Sequence, residues 1–299
     1  HRRTVRWQVE RGDSGRIFAA AVQGKYVAIA GHGVMGGLGE IWIIDMTNGN
    51  LVRSLVDVNR GHRQVIASLA WQPAPPGNAD GDKDTPADGK TPTHKAPALR
   101  LASADVEGRV LLWTPDTTTG IWSPRTIVAP DRETYGPAVA EALAWRRRFL
   151  PLTFLDHNQL LMPRYAGTAT EPAGAARWRI QRFNLATNRS DVLAIDHIEM
   201  VTTMAASDDG KQLATGDATG RVWWASFAND ANAPSLKSIA GPRRVALSLD
   251  FSDDAKRLLV GTTAASTVVD SPVVATLEWF NVSDATTGLQ SLSTVNVPS

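Results

Sequence analysis

The chain has 299 residues, 43% of them hydrophobic, so it is long enough to bury a large core in one or two domains. Its formal net charge of +1 argues against a generic binder of polyanions, although it allows a local basic patch. Cysteine is absent, which excludes disulfides, thiolate metal sites and cysteine nucleophiles. No apolar run is long enough for a membrane helix. We therefore expect a cytoplasmic protein with no membrane partner.

The N-terminal part of the chain reads as short strands separated by turns. An isolated strand is predicted at residues 4–10, and a unit of four strands at 16–57. The loop between the second and third strands of this unit contains His32 and Met35. It matches the spacing GxGxxG, but a strand follows it where a nucleotide site requires a helix. We therefore interpret it as a loop between strands.

The second predicted unit, at 61–128, is the most regular. It opens with Gly61-His62 and a strand that ends in an aromatic residue and proline. Residues 73–97 are rich in Pro, Gly, Asp and Lys, so we expect a mobile insertion there. The strands LAS, ending at Ser103, and VLLW, ending at Trp113, follow, with Glu107 in the turn between them.

Three further units are predicted at 138–196, 199–240 and 243–297. The third is the most diverged: its first strand is predicted at Val139–Trp145, and residues 149–158 are predicted to be a connection. The fourth is clear, since LATGDATGRVWW parallels LASADVEGRVLLW of the second unit. Each unit has one residue at the equivalent strand end; from the first unit to the fifth these are Ile44, Trp113, Phe183, Ala225 and Phe280.

In this order the pieces resemble a WD40 repeat, and the 42 residues between Phe183 and Ala225 match its period. The resemblance implies an all-β, WD40-type β-propeller with about five four-stranded blades, of divergent, bacterial-looking type. Most WD40 rings have seven blades, and the strand at 4–10 would complete a neighbouring blade. We therefore expect one part of a larger, seven-bladed or double propeller. A chain that starts at His1 without Met is expected to be a fragment or a processed piece.

The same resemblance implies a hydrogen-bonded tetrad of His, Ser or Thr, Asp and Trp inside a blade. His62, Ser103 and Trp113 match three of its positions, Glu107 replaces the Asp, and no other unit carries the set. Such residues satisfy buried polar groups, so they are expected to be structural and not catalytic.

Function is expected in the long loops where the repeats differ. WD40 proteins bind other proteins, so the resemblance implies a non-catalytic interaction or sensor module. Bacterial repeats of this type are commonly fused to a caspase-like protease, a kinase or an NTPase. The expected partners are therefore such an effector or the remainder of a precursor. Loops joining second to third strands, or fourth to first, share one face, which gives the candidate binding residues His32, Met35, Arg164, Tyr165, Arg243 and Arg244. A second candidate patch, Arg146, Arg147 and Arg148, would lie on the opposite face.

Two alternatives stay open. One is a propeller-fold hydrolase with a site at the central channel, but the sequence offers no nucleophile–base set. The pairs Asp208-Asp209 and Asp253-Asp254 recur at equivalent places and are typical of β-turns. The other is nucleic-acid binding through the arginine clusters, which a neutral chain supports poorly. Neither a metal nor a cofactor is predicted.

Overall fold

The chain folds into five four-stranded antiparallel sheets, here called blades 1 to 5. The computed structural model describes residues 16–32, 39–74, 99–135, 150–166, 178–227, 235–240, 244–264, 275–282 and 290–297. Apart from one short helix, the regular structure of these residues is all β. The prediction of an all-β chain with five four-stranded blades is thus confirmed.

The first two blades use the most regular part of the sequence. Blade 1 consists of β1 Arg16–Gln23, β2 Tyr26–His32, β3 Ile41–Asp45 and β4 Leu51–Leu55. Blade 2 consists of β5 Ile66–Trp71, β6 Leu101–Asp105, β7 Val110–Pro115 and β8 Trp122–Val128. The helix α1 follows at Asp131–Tyr135.

The other three blades follow in chain order. Blade 3 consists of β9 Thr153–Phe154, β10 Gln159–Tyr165, β11 Trp178–Asn184 and β12 Arg189–His197. Blade 4 consists of β13 Val201–Ala206, β14 Gln212–Asp217, β15 Arg221–Ser226 and β16 Ser235–Ala240. Blade 5 consists of β17 Arg244–Phe251, β18 Arg257–Ala264, β19 Ala275–Asn281 and β20 Gln290–Val297.

Blade 3 differs from the sequence prediction. The strand that pairs with β10 is β9, where Phe154 pairs with Leu160, in the stretch that was predicted to be a connection. Leu150, Leu152 and Phe154 alternate along this stretch and are all buried, which is the pattern of a half-buried strand. The strand predicted at Val139–Trp145, the strand predicted at 4–10 and nearly all of the insertion at 73–97 lie outside the described residues.

The chain divides into two compact units, residues 1–147 and residues 148–299. In the first unit, β1 lies against β5; in the second, β13 lies against β9 and β17. Within each unit, first strands of successive blades are therefore neighbours. We call the face of a blade that packs on the preceding blade of its unit the upstream face, and the opposite face, with its register equivalents in the other blades, the downstream face.

The five sheets share one register. The residues identified from sequence as equivalent strand ends pair with equivalent residues of the second strand: Val27 with Ile44, Leu101 with Trp113, Leu160 with Phe183, Leu213 with Ala225 and Leu258 with Phe280. In blades 1, 2, 4 and 5 the pairing of first and second strands also shifts at one matched place. Such an extra residue strengthens the local twist of a strand. The repeat alignment made from sequence is thus confirmed by the pairing.

Each described core lies between two blades and joins small residues to large ones. In the first unit, Ala19, Ala28 and Ala30 of blade 1 pack against Leu101 and Trp113 of blade 2. In the second unit, alanines of blade 4 pack with large residues of blade 5 such as Leu249, Leu258 and Phe280. In both units the first two strands of the earlier blade present small side chains downstream, and the later blade fills the space with large ones.

Candidate functional site

A buried series of hydrogen bonds connects β6 and β7 of blade 2 with His62, which lies in the segment before β5. The Trp113 Nε1–H donates to Ser103 Oγ at 2.9 Å, and Ser103 Oγ lies 2.7 Å from His62 Nε2. His62 Nδ1 lies 2.8 Å from Asp105 Oδ2. Because an ionised carboxylate only accepts, Nδ1 is assigned the proton, and Nε2 then accepts from the Ser103 hydroxyl. Every polar side-chain atom of this hydrogen-bond network therefore has a partner.

The acid of this tetrad is Asp105, so the sequence prediction of Glu107 was wrong. Ser103 and Asp105 are two residues apart on β6 and share a face, so both side chains reach His62. Glu107 lies beyond the end of the strand, is exposed, and accepts a hydrogen bond from Gln64 Nε2 at 3.0 Å. Strand periodicity would have selected Asp105.

Asp105 also fixes the turn between β6 and β7. Its Oδ1 accepts from the backbone N–H groups of Glu107 and Arg109, both at 3.0 Å. At Gly108 the φ angle is +80°, and an added Cβ would lie 2.7 Å from Asp131 Oδ1. One carboxylate thus joins the blade interior to the tight turn.

A second, smaller set joins His197, the last residue of β12 in blade 3, to β14 of blade 4, and was not predicted. His197 Nδ1 lies 3.0 Å from Asp217 Oδ2, and His197 Nε2 lies 2.9 Å from Thr215 Oγ1. By register, Thr215 and Asp217 correspond to Ser103 and Asp105. The tryptophan position is Ala225, so the tetrad is reduced to three residues. The expectation that only one unit carries such a set was therefore wrong: a second set is present, with three of the four residues.

Asp217 is held ionised by its neighbours. Burial acts to raise the pKa of Asp217, but hydrogen bonds from His197 and Thr219 outweigh it and hold the pKa below its usual value. The Thr219 backbone N–H donates at 2.9 Å, its hydroxyl at 2.6 Å, and the Arg221 N–H at 3.1 Å, all to Oδ1. Asp217 therefore both pairs with a histidine and closes a turn, as Asp105 does in blade 2.

In blade 2 the Asp, His and Ser side chains are hydrogen-bonded in the same sequence as in a catalytic triad. Unlike in a triad, the serine hydroxyl is not accessible to a substrate. Ser103 is 0% exposed and His62 is 5% exposed, so no substrate carbonyl can approach the hydroxyl. The hydroxyl also accepts from Trp113, which occupies a lone pair. The arrangement satisfies buried polar groups and stabilises the blade.

Two of the predicted binding residues are described with their side chains. Arg164 and Tyr165 are the last two residues of β10, at the point where the chain leaves the sheet. Arg164 is exposed, and the half-buried Tyr165 ring lies edge-on to Trp178, with centroids 5.5 Å apart at 70°. Trp178 is 1% exposed and opens β11, so a rigid aromatic support lies under Tyr165.

The remaining predicted residues are described in part or not at all. His32 is the last residue of β2 and Arg244 the first of β17. We call the edge of a blade where its second strand ends and its first strand begins the loop edge. By this definition His32, Arg164, Tyr165 and Arg244 each lie at the loop edge of their own blade. Met35, Arg243 and the patch Arg146, Arg147 and Arg148 lie outside the described residues.

Within the residues described, no group of three or more His, Cys, Asp and Glu side chains could hold a metal ion. Across the same residues, no helix is long and apolar enough to cross a membrane.

Solved structures share the architecture of the chain. One is the crystal structure of the Myceliophteria thermophila Cps50 (Swd1) β-propeller domain, with a TM-score of 0.57 and 15% sequence identity. The similarity covers 97% of this chain and 76% of that one. The fold is a β-propeller. No protein-family model matches the chain, and no curated protein matches its sequence.

Proposed function

We propose that the chain is a non-catalytic protein–protein interaction module that binds its partner at the loop edge of its blades. The observation that supports this most directly is the pair Arg164 and Tyr165, one exposed and the other seated on the buried Trp178. Arginine and tyrosine are enriched among residues that dominate binding energy, and a ring held by a buried neighbour loses little entropy on binding.

The buried hydrogen-bond sets support the non-catalytic part of the proposal. The only side chains here with triad-like connectivity among the described residues, around His62 and His197, are buried and are used to hold strands and turns together. The hydrolase and nucleic-acid alternatives gain no specific support from the described residues.

The wider setting rests on the repeat resemblance. We propose a module of a larger, bacterial multidomain protein located in the cytoplasm, with an attached effector such as a caspase-like protease, a kinase or an NTPase. The resemblance to divergent bacterial WD40 repeats and the absence of cysteine support this setting.

A peptide-display selection against the intact chain tests the loop-edge site. Binders selected on the unaltered protein are measured against the double variant Arg164→Ala/Tyr165→Ala. We expect Kd to rise about 10- to 30-fold, because truncating a dominant interface residue costs about 2 kcal/mol.

The chain offers a matched control at the opposite edge of a blade. Lys25 and Tyr26 lie at the hairpin between β1 and β2, and their pair is again one base and one half-buried tyrosine. Lys25→Ala/Tyr26→Ala is expected to leave Kd within about threefold, as for substitutions outside an interface. Loss of binding in the control alone, or in neither variant, contradicts the proposed site.

A further inference from the structure

Three side chains form one row across the loop edge of blade 3. Tyr165 pairs with Trp178 between β10 and β11, and Trp178 pairs with His197 between β11 and β12. Directly paired residues of antiparallel strands project from the same face of a sheet. The Tyr165 and Trp178 rings are in edge-on contact, and His197 is the neighbour of Trp178 on its other side in the row. The row therefore starts at a half-buried tyrosine and ends at a buried histidine.

The histidine at the end of this row is fixed by blade 4. Its two ring nitrogens lie within hydrogen-bond distance of Asp217 and Thr215 on β14. His197, Asp217 and Thr215 are 0%, 1% and 0% exposed, so water cannot replace these bonds. Asp217 is itself held by the backbone N–H groups of Thr219 and Arg221 in the turn that follows β14. The His197 ring therefore cannot move without leaving buried polar groups unpaired.

The pairing of β11 with β12 is irregular just before it reaches His197. Arg179 pairs with Asp196, but the next residue, Ile180, pairs with Leu193, so the register shifts between them. Such an irregularity disrupts the ladder locally. The Arg179–Asp196 ion pair lies beyond it at 3.1 Å, with both side chains about half exposed, and an ion pair of this kind contributes little. The buried hydrogen bonds of His197 to blade 4 therefore hold this end of β12 beside Trp178.

The corresponding place in blade 1 has the same neighbour but no aromatic ring. Gly39 precedes Ile44 by five residues, as Trp178 precedes Phe183 by five. A Cβ added to Gly39 would lie 2.6 Å from His62 Cβ, so this position borders the histidine of a polar set in both units. In blade 1 the position carries only a hydrogen atom, and β4 ends at Leu55, well before His62. The set around His62 is therefore a natural control for the set around His197.

We infer that His197 is a positioning residue of the proposed binding site. Fixed by Asp217 and Thr215, it holds the Trp178 side chain in place, and Trp178 in turn orients the ring of Tyr165. A ring that is ordered before binding loses less conformational entropy when a partner binds. The role of Tyr165 as a contact rests on the proposed function, whereas the positioning of its ring can be measured without any partner.

The small number of tyrosines allows this measurement by fluorine NMR. The chain contains three, Tyr26, Tyr135 and Tyr165, so incorporation of fluorotyrosine gives three resonances that single Tyr-to-Phe variants assign. The chemical shift and line width of each resonance report on the surroundings and the motion of one ring. The Tyr165 resonance is thus a direct readout of the end of the row, and the Tyr26 resonance reports on blade 1 in the same sample.

Two pairs of matched variants separate positioning from general stability. His197→Ala removes the ring that borders Trp178, and Thr215→Val removes only the hydroxyl that His197 contacts. Their controls are His62→Ala and Ser103→Ala, which remove the corresponding groups of the blade 2 set. Thr215→Val is the milder change and keeps the test valid if His197→Ala does not fold. Far-UV circular dichroism shows which variants keep the native fold.

Both variants of the His197 set are expected to shift or broaden the Tyr165 resonance and to leave the Tyr26 resonance in place. Both controls are expected to leave the Tyr165 resonance unchanged, although they lower stability as well. Peptide binders that need Tyr165 are then measured against Thr215→Val and Ser103→Ala. We expect Kd to rise about 3- to 10-fold for Thr215→Val, because the released ring must be ordered on binding, and to stay unchanged for Ser103→Ala.

Three results would overturn the inference. One is an unchanged Tyr165 resonance in the folded variants of the His197 set. Another is an equal change of that resonance in His62→Ala or Ser103→Ala, which identifies a general loss of stability. The third is an unchanged Kd in Thr215→Val for binders that need Tyr165. Binders that do not need Tyr165 at all would refute the proposed function instead, and the fluorine spectra would still decide whether His197 holds the ring.

Discussion

Replacement of Ser103 by alanine tests the buried tetrad most directly. The hydroxyl is fully buried, accepts from Trp113 Nε1–H and donates to His62 Nε2. Alanine is nearly isosteric, so little cavity forms, but two buried polar groups lose their partner. Each costs about 1–3 kcal/mol, which gives about 2–6 kcal/mol for the pair. That is a large fraction of the roughly 5–15 kcal/mol by which a domain is stable.

The assay is urea unfolding followed by far-UV circular dichroism, with a thermal melt in parallel. A loss of about 3 kcal/mol lowers Tm by about 6–12 °C in a unit of about 150 residues. The matched control is Ser123→Ala, which makes the same change at an exposed position on β8 of the same blade. It is expected to change stability by less than about 0.5 kcal/mol.

A double-mutant cycle isolates the hydrogen bond between the Trp113 indole and the Ser103 hydroxyl. Trp113→Phe removes the indole donor, so the cost of Ser103→Ala should be smaller in that background, with a coupling of about 1 kcal/mol. Equal stability losses for Ser103→Ala and Ser123→Ala would refute the tetrad as a stabilising network. Full additivity with Trp113→Phe would refute the indole–hydroxyl bond.

Two further predictions concern the second polar set and a blade contact. Asp217→Asn removes a carboxylate whose pKa is held low by His197 despite burial, so its stabilisation is complete above the unfolded pKa of about 4 and is lost as pH falls through the folded value. The difference in urea midpoint between the wild type and this variant should be present at about pH 7 and shrink below about pH 4; a constant difference would contradict the assignment. Gly39→Ala places a Cβ 2.3 Å from the His62 carbonyl oxygen at a φ of +81° and should cost about 2 kcal/mol or more in thermal melts. Gly24→Ala, with φ +56° and nothing within 4 Å, should cost only about 1 kcal/mol, and equal costs would argue against that contact.

The blades could be predicted because their strands repeat with a fixed register. The pattern that ends in Trp113 recurs even where the tryptophan itself has become Phe183 or Ala225, since the flanking strand and turn residues keep their spacing. Strand β9 escaped prediction because it is two residues long and Pro151, which has no N–H to donate to a ladder, comes shortly before it. The sequence shows the apolar residues of this stretch, but their pattern does not distinguish a two-residue strand from a loop.

The polar sets were predicted only in part, for two physical reasons. The acid was sought in the turn, at Glu107, although the alternation of strand side chains places Asp105 on the face of Ser103. The second set was missed because its histidine is 20 residues from its acid, compared with 43 in blade 2, where the insertion separates the two. Sequence spacing varies with loop length, whereas strand register does not.

In the two described contacts, between blades 1 and 2 and between blades 4 and 5, alanines of the earlier blade pack against large side chains of the later one, which gives each contact a polarity. A small downstream face fits a large upstream face, but two upstream faces do not fit each other. Contacts through such faces are consequently heterologous, head to tail. In both units the later blade in the chain therefore lies on the alanine-lined face of the earlier one, so the order of these two repeats in the sequence sets their order in space.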